Sequence, residues 1–147
     1  MKRLLLLLFL GASGCADFPR DPEGTLDRVR ATGSFSVGIV SSGRPAAEAG
    51  PERAMILAVA RNSGARAAIV NGSAEPLLMQ LEKGELDFVI GQFSASSPWR
   101  SQVHMLPPLA SRRDRTGRTE LNAAARNGEN GWIALLHRSA RAAGASP

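Results

Sequence analysis

The 147-residue chain predicts an α/β fold, a single three-layer α/β/α lobe with a mostly parallel sheet. Three observations lead there. Short apolar strands alternate with stretches of helical spacing, the connections between them are brief, and the roughly 130 residues beyond the N-terminal segment suit one ordinary domain. Strand, helix, strand, helix, strand in close succession argues for parallel strands whose crossover helices cover both faces.

The N-terminal segment stands apart. Lys2 and Arg3 precede an apolar run from Leu4 to Leu10, then Gly11-Ala12-Ser13-Gly14-Cys15. The run is far short of the ~20 residues that span a bilayer, and the basic start with a small-residue end predicts a signal peptide over 1–14. Cys15 is the only cysteine, so no intramolecular disulfide forms. Its setting resembles the lipidation site of a bacterial lipoprotein, with Ala12 in place of the usual leucine; the alternative is an ordinary signal peptide beside an incidental cysteine. Acylation would tether the product to a membrane, each buried methylene contributing ~0.8 kcal/mol. Ala16 is not the aspartate that marks inner-membrane retention, so outer-membrane sorting is allowed and the leaflet stays open.

Residues 15–24 then read as the lipidated cysteine and a polar, Pro-punctuated flexible tether. The lobe is expected over 25–143. Thr25 is placed to cap a short helix over Leu26–Arg30, which Gly33 ends. Phe35, Val37 and Ile39 alternate with small residues in a strand from Ser34 to Val40. After a Ser/Gly/Pro/Ala loop, Pro51 and Glu52 suit the first turn of a helix that Asn62-Ser63-Gly64 stops. Ala67–Val70 reads as a short buried strand. Leu77, Leu78 and Leu81 give the next helix, from Ser73 to Lys83, its apolar face, and Asp87–Gly91 is the third strand. Gln102–Leu106 reads as a further strand, 110–119 as a charged loop, Glu120–Arg126 as a returning strand, and Gly131–Ala142 as a final helix buried through Trp132, Leu135 and Leu136.

Net charge is +5 and falls by two, to +3, once Lys2 and Arg3 are removed. The basic charge is nearly all arginine and carries no aromatic-interleaved stripe, which argues against a nucleic-acid partner. The cluster of Arg112, Arg113, Arg115 and Arg118 suits either phosphate headgroups, an acidic partner, or simply solvent.

From Glu85 to Leu109 a short strand breaks at Gly91 into small hydroxyl residues and then reaches Ser97-Pro98-Trp99-Arg100. This segment resembles the amino-acid-type (family 3) periplasmic solute-binding proteins of ABC importers, in which an Asp-Leu-Ile-Ile-Gly-type strand runs into a Thr-Pro-x-Arg turn. The stretch Thr25–Val40 is similar to the start of the same family, where a short helix precedes the first strand of the first lobe. Full-length members cross by hinge strands into a second lobe; here only the loop 110–119 stands in that place. The resemblance therefore implies one lobe of a periplasmic-binding-protein-like fold.

It also implies a site. In relatives that bind amino acids the arginine of that turn grips the ligand carboxylate, a task for a planar, always-charged donor. Arg100 occupies that position, with the alternative that it is a solvated charge at a strand end. Gly91 and Ser94 match positions that offer backbone groups and a hydroxyl to the ligand, with Gln92 and Phe93 between them. Open parallel sheets bind ligands beyond the carboxyl ends of their strands, which favours the same place independently. Ser42, Gly43 and Arg44, after the first strand, are expected at that edge or in a plain polar loop. Phe93 and Trp99 form either an aromatic wall for a ligand or, respectively, core and sheet-edge cap.

No nucleophile elbow, phosphate loop or dinucleotide fingerprint occurs, and His104 and His137 lie far apart without cysteine or carboxylate at ligand spacing. The chain is expected to be no enzyme and to hold neither cofactor nor metal. Two functions compete. The first is a membrane-anchored periplasmic solute-binding-like lobe, sensing an amino acid or small carboxylate weakly or serving a transporter permease or other envelope protein. The second is a structural or interaction lipoprotein that keeps the scaffold without the ligand. An isolated lobe offers half a cleft, and a carboxylate–guanidinium pair in water contributes at most ~1 kcal/mol, so tight capture is not expected.

Overall fold

The structure is a computed structural model that describes residues 21–41, 50–94, 97–115 and 117–144. Its elements follow in the order α1 (Thr25–Thr32), β1 (Ser34–Val40), α2 (Gly50–Ser63), β2 (Arg66–Gly72), α3 (Ala74–Glu82), β3 (Phe88–Phe93), a 3-10 turn (Pro98–Ser101), β4 (Val103–Met105), β5 (Ala110–Asp114), β6 (Gly117–Arg126) and α4 (Asn130–Ala142). The described residues form a six-stranded sheet in the order β2-β1-β3-β6-β4, with β5 also on β6. β1 pairs parallel with β2 and β3, whereas β6 runs against β3, β4 and β5, so five strands share one direction. No described helix is long and apolar enough to cross a membrane.

Period-two alternation divides the sheet's side chains between two cores. Phe35, Val37, Phe88, Ile90, Leu121, Ala123 and Ala125 point to the face covered by α1, α2 and α4, where Val29, Met55, Val59, Trp132, Leu135 and Leu136 meet them. Val89, Phe93, Val103 and Ala124 point to the other face, against Leu77, Leu78 and Leu81 of α3. Three layers result, as expected. α3 approaches closely because β1 carries Gly38: a Cβ there would lie 2.9 Å from Leu86 Cδ1 and 3.3 Å from Leu77 Cδ2.

Four local expectations are corrected. α1 starts at Thr25 itself, with Gly24 in the N-cap position at φ 68° and no side-chain cap from Thr25. The capping acceptor is Asp21, whose Oδ2 receives the Leu26 N–H at 2.9 Å while its Oδ1 receives the backbone N–H groups of Gly131 and Trp132. One carboxylate thus serves the starts of two helices, where unpaired N–H groups and the helix dipole favour it. Residues 21–24 are accordingly part of the fold and not of a flexible tether; 1–20, with the signal-peptide and Cys15 expectations, lie outside the described residues. β2 is longer than Ala67–Val70 and is not buried, because it forms a border of the sheet. The expected loop 110–119 is a β-hairpin in which Asp114 pairs with Gly117. Its arginines hide the strand pattern because β5 and the start of β6 are mostly exposed, so no apolar alternation is required of them.

Candidate functional site

β1 and β3 end side by side, and β6 begins at the same rim: Ile39 is paired with Ile90, and Phe93 with Glu120. At this carboxyl edge the 3-10 turn, opened by Pro98, presents Arg100. The Arg100 side chain is 38% exposed, its Nε lies 3.5 Å from the Ser94 carbonyl, and its NH2 group lies 3.9 Å from Glu120 Oε2. Both approaches are at the outer limit for such contacts. Ser94 is exposed beside it, and its carbonyl also accepts the Ser97 N–H at 3.0 Å.

The other expected residues are placed as follows. Gly91 is buried, and a Cβ there would lie 2.5 Å from Val40 Cγ2 and 3.1 Å from Phe93 Cζ, so the glycine makes room for packing. Phe93 is buried in the α3-side core with Trp99 packed partly against it, and Gln92 is half-buried, paired with Leu121. Ser42, Gly43 and Arg44 lie outside the described residues.

Glu120 is a rim residue that the sequence reading left unassigned, and Arg118, expected in the arginine cluster, pairs with it. Arg118 Nε lies 2.9 Å from Glu120 Oε1, a far tighter pair than Arg100 makes with the same carboxylate. Two guanidinium groups thus share one carboxylate, leaving a surplus positive charge on the Arg100 side. The signal for Glu120 was present in the topology, since a returning strand antiparallel to β3 must begin where β3 ends.

The opposite end of the sheet holds a cavity of about 220 Å³ lined by Thr25, Arg28, Lys83, Asp87, Arg126 and Glu129, among others. Most of its charges hold the fold together. Asp87 pairs with Arg28 and accepts the Ser36 N–H at 2.7 Å. Glu129 accepts the N–H groups of Glu23 and Thr25, both at 2.9 Å. Burial pushes the Glu129 carboxyl up, but hydrogen bonds from Thr25 and Glu23 and the charge of Arg126 outweigh it, leaving the group below its ordinary value.

His104 on β4 and His137 on α4 meet although they are distant in sequence: their Nε2 atoms are 3.1 Å apart and the rings are edge to face. The described residues contain no group of three or more His, Cys, Asp or Glu able to hold a metal. Burial lowers the pKa of His104; burial, with the charges of His104 and Arg141, lowers that of His137. The unfolded chain therefore binds protons that the folded pair resists, and stability should be complete above the ordinary histidine range and decline as pH falls through it. Melting temperature is expected to drop between about pH 8 and about pH 5, with a clearly smaller drop in His137→Gln. An equal drop in both proteins would remove the pair as its cause.

The fold is that of a single periplasmic-binding-protein-like lobe. No family model and no curated protein matches the chain. Among solved structures it is similar to the arginine-bound form of domain 1 from TmArgBP, the ArgBP of T. maritima, at 16% identity and TM-score 0.64, covering 78% of this chain and 97% of that one. It is similar to the ancestral amino acid-binding protein AncCDT-1, a precursor of cyclohexadienyl dehydratase, at 11% identity and TM-score 0.65, covering 80% and 92%. The VFT2 domain of Bordetella pertussis BvgS, as the double mutant F375E/Q461E, matches at 10% identity and TM-score 0.61, covering 84% and 94%. At such identities the likeness is one of fold, and it agrees with the first-lobe architecture that the sequence resemblance implied.

Proposed function

We propose that the chain is a membrane-anchored, extracytoplasmic solute-binding-like lobe that takes an amino acid or small carboxylate at the rim where β1 and β3 end. It would serve as a weak sensor or as an accessory of an ABC-type transport system, by binding and not by catalysis. The observation that carries this reading is Arg100, partly exposed beyond the strand ends, loosely paired with a Glu120 that Arg118 already holds more closely. A ligand carboxylate can displace the long Glu120 contact at little cost, and Glu120 then stands ready for the ammonium of an amino acid. TmArgBP supports the idea that a lobe suffices, since its domain 1 is described in an arginine-bound form. The lipid anchor on Cys15 and the periplasmic location rest on the sequence pattern of the first fifteen residues.

The test is thermal melting with arginine, other amino acids and small carboxylates at millimolar concentration. A ligand at ten times its Kd stabilises by about 1.4 kcal/mol through mass action, a shift of a few degrees. Arg100→Ala should lose that shift while melting like wild type without ligand, because a loose exposed ion pair contributes under ~1 kcal/mol. No shift in wild type, or the same shift in the variant, would defeat the proposal. The second reading, a structural or interaction lipoprotein, draws on Gly91 and Phe93, whose surroundings are filled by the protein's own side chains; it gains if no shift occurs.

A further inference from the structure

β2 is a border of the sheet with little to protect it. Arg66 and Gly72 turn their backbone groups toward β1, the Arg66 N–H donating to the Gly33 carbonyl and the Gly72 carbonyl accepting the Ser41 N–H, each at 2.9 Å. By strand alternation the N–H and C=O groups of Ala67, Ile69 and Asn71 face outward. Natural edges are usually guarded by charge, proline, a bulge or a covering segment. From Ala67 to Gly72 the sequence is Ala-Ala-Ile-Val-Asn-Gly, and the register with β1 is unbroken. The large hydrophobic side chains exposed among the described residues lie on this strand, Ile69 at 53% and Val70 at 38%, and on the helices either side of it in sequence, Leu57 on α2 and Met79 on α3.

We propose that this border pairs antiparallel with the same border of a second copy of the chain, about a two-fold axis at Ile69. In that register Ile69 exchanges both backbone hydrogen bonds with its own copy, and Ala67 exchanges them with Asn71 of the second copy. Every outward group of the strand is then satisfied in one isologous contact, and the two sheets become one.

Charge selects this occupant and this direction. Pairing with Ser34 places the Arg66 side chain on the α3 face of the sheet, since neighbouring Phe35 points to the other. Opposite Arg66 comes Gly72 of the copy, which leads within three residues to Glu75 in the first turn of α3. Arg66 and Glu75 are both exposed and lack ion-pair partners among the described residues. The two-fold axis brings them together twice, once at each end of the joined strands. Parallel pairing of the two borders in register would set Arg66 against Arg66, which like-charge repulsion opposes.

Sedimentation velocity of the full chain in detergent solution should show a monomer–dimer equilibrium that moves with concentration. Ile69→Lys should leave a monomer that melts like wild type diluted to its monomeric state, since Ile69 is 53% exposed. Arg66→Glu should weaken the dimer by about tenfold, and Arg66→Glu combined with Glu75→Arg should restore it. A chain that stays monomeric at its highest soluble concentration overturns the proposal. So does a dimer indifferent to Ile69→Lys, or a charge reversal that the second substitution fails to repair.

Discussion

Trp132→Ala is expected to remove ~3–5 kcal/mol of folding stability and to lower the melting temperature by roughly 10–20 °C. Trp132 is fully buried where α4 meets the sheet. Its ring centre lies 6.2 Å from those of Phe35 on β1 and Phe88 on β3, which are themselves 5.8 Å apart. The indole N–H also donates to the Asp87 carbonyl at 2.8 Å, so truncation both opens a cavity and strands a buried acceptor. With total stabilities of ~5–15 kcal/mol, that is a fifth of the fold or more. Trp132→Phe separates the two contributions, keeping most of the ring volume and losing only the donor, at a cost of ~1–2 kcal/mol. Chemical denaturation of both variants checks this, and a loss below ~1 kcal/mol for the alanine would mean that α4 is not fastened through this residue.

Asp87→Ala is expected to cost ~2–3 kcal/mol, and its ion pair with Arg28 is the smaller part. Asp87 is buried, and its Oδ2 accepts both the Ser36 N–H at 2.7 Å and the Ser36 hydroxyl at 3.1 Å. The Arg28 side chain is 47% exposed, so water takes over its charge when the partner is removed. The part-buried Ser36 N–H loses a charged acceptor, the costliest kind of hydrogen bond to remove. Arg28→Ala should therefore cost under ~1 kcal/mol. Denaturant midpoints give the order directly, and an arginine variant as damaging as the aspartate variant would reverse the account.

Much of the architecture was legible where burial dictates pattern. Phe35, Val37 and Ile39 alternate, Leu77, Leu78 and Leu81 recur at helical spacing, and β1 and α3 lie where those patterns put them to within a residue or two. Legibility failed where burial imposes nothing. β5 and the start of β6 are mostly exposed, so their arginines were free to look like a loop. β2 failed in the opposite sense: Ala67-Ala68-Ile69-Val70 reads as a buried run, yet the strand order leaves it at a border. Local sequence carries hydrophobicity but not strand order.

The candidate site divides the same way. Arg100 and Ser94 lie six residues apart in one segment, and the structure sets the arginine beside that serine's carbonyl. Glu120 is twenty residues from Arg100 in sequence and reaches it through the pairing of β6 with β3. The His104–His137 contact and the double cap from Asp21 are tertiary in the same sense, joining residues 33 and 110 or more positions apart. Each was hidden because side chains meet across elements whose packing angle no periodicity records.

The hairpin joining β5 to β6 has an evolutionary consequence. Asp114 and Gly117 are opposite one another in an antiparallel ladder, which sets their Cα atoms about 5 Å apart. A folded module whose own ends lie close together can be spliced between them, or cut out again, without moving the register of β6 on β3. The turn is thus a port at which this protein can gain or shed a companion domain in one genetic step while its core stays intact.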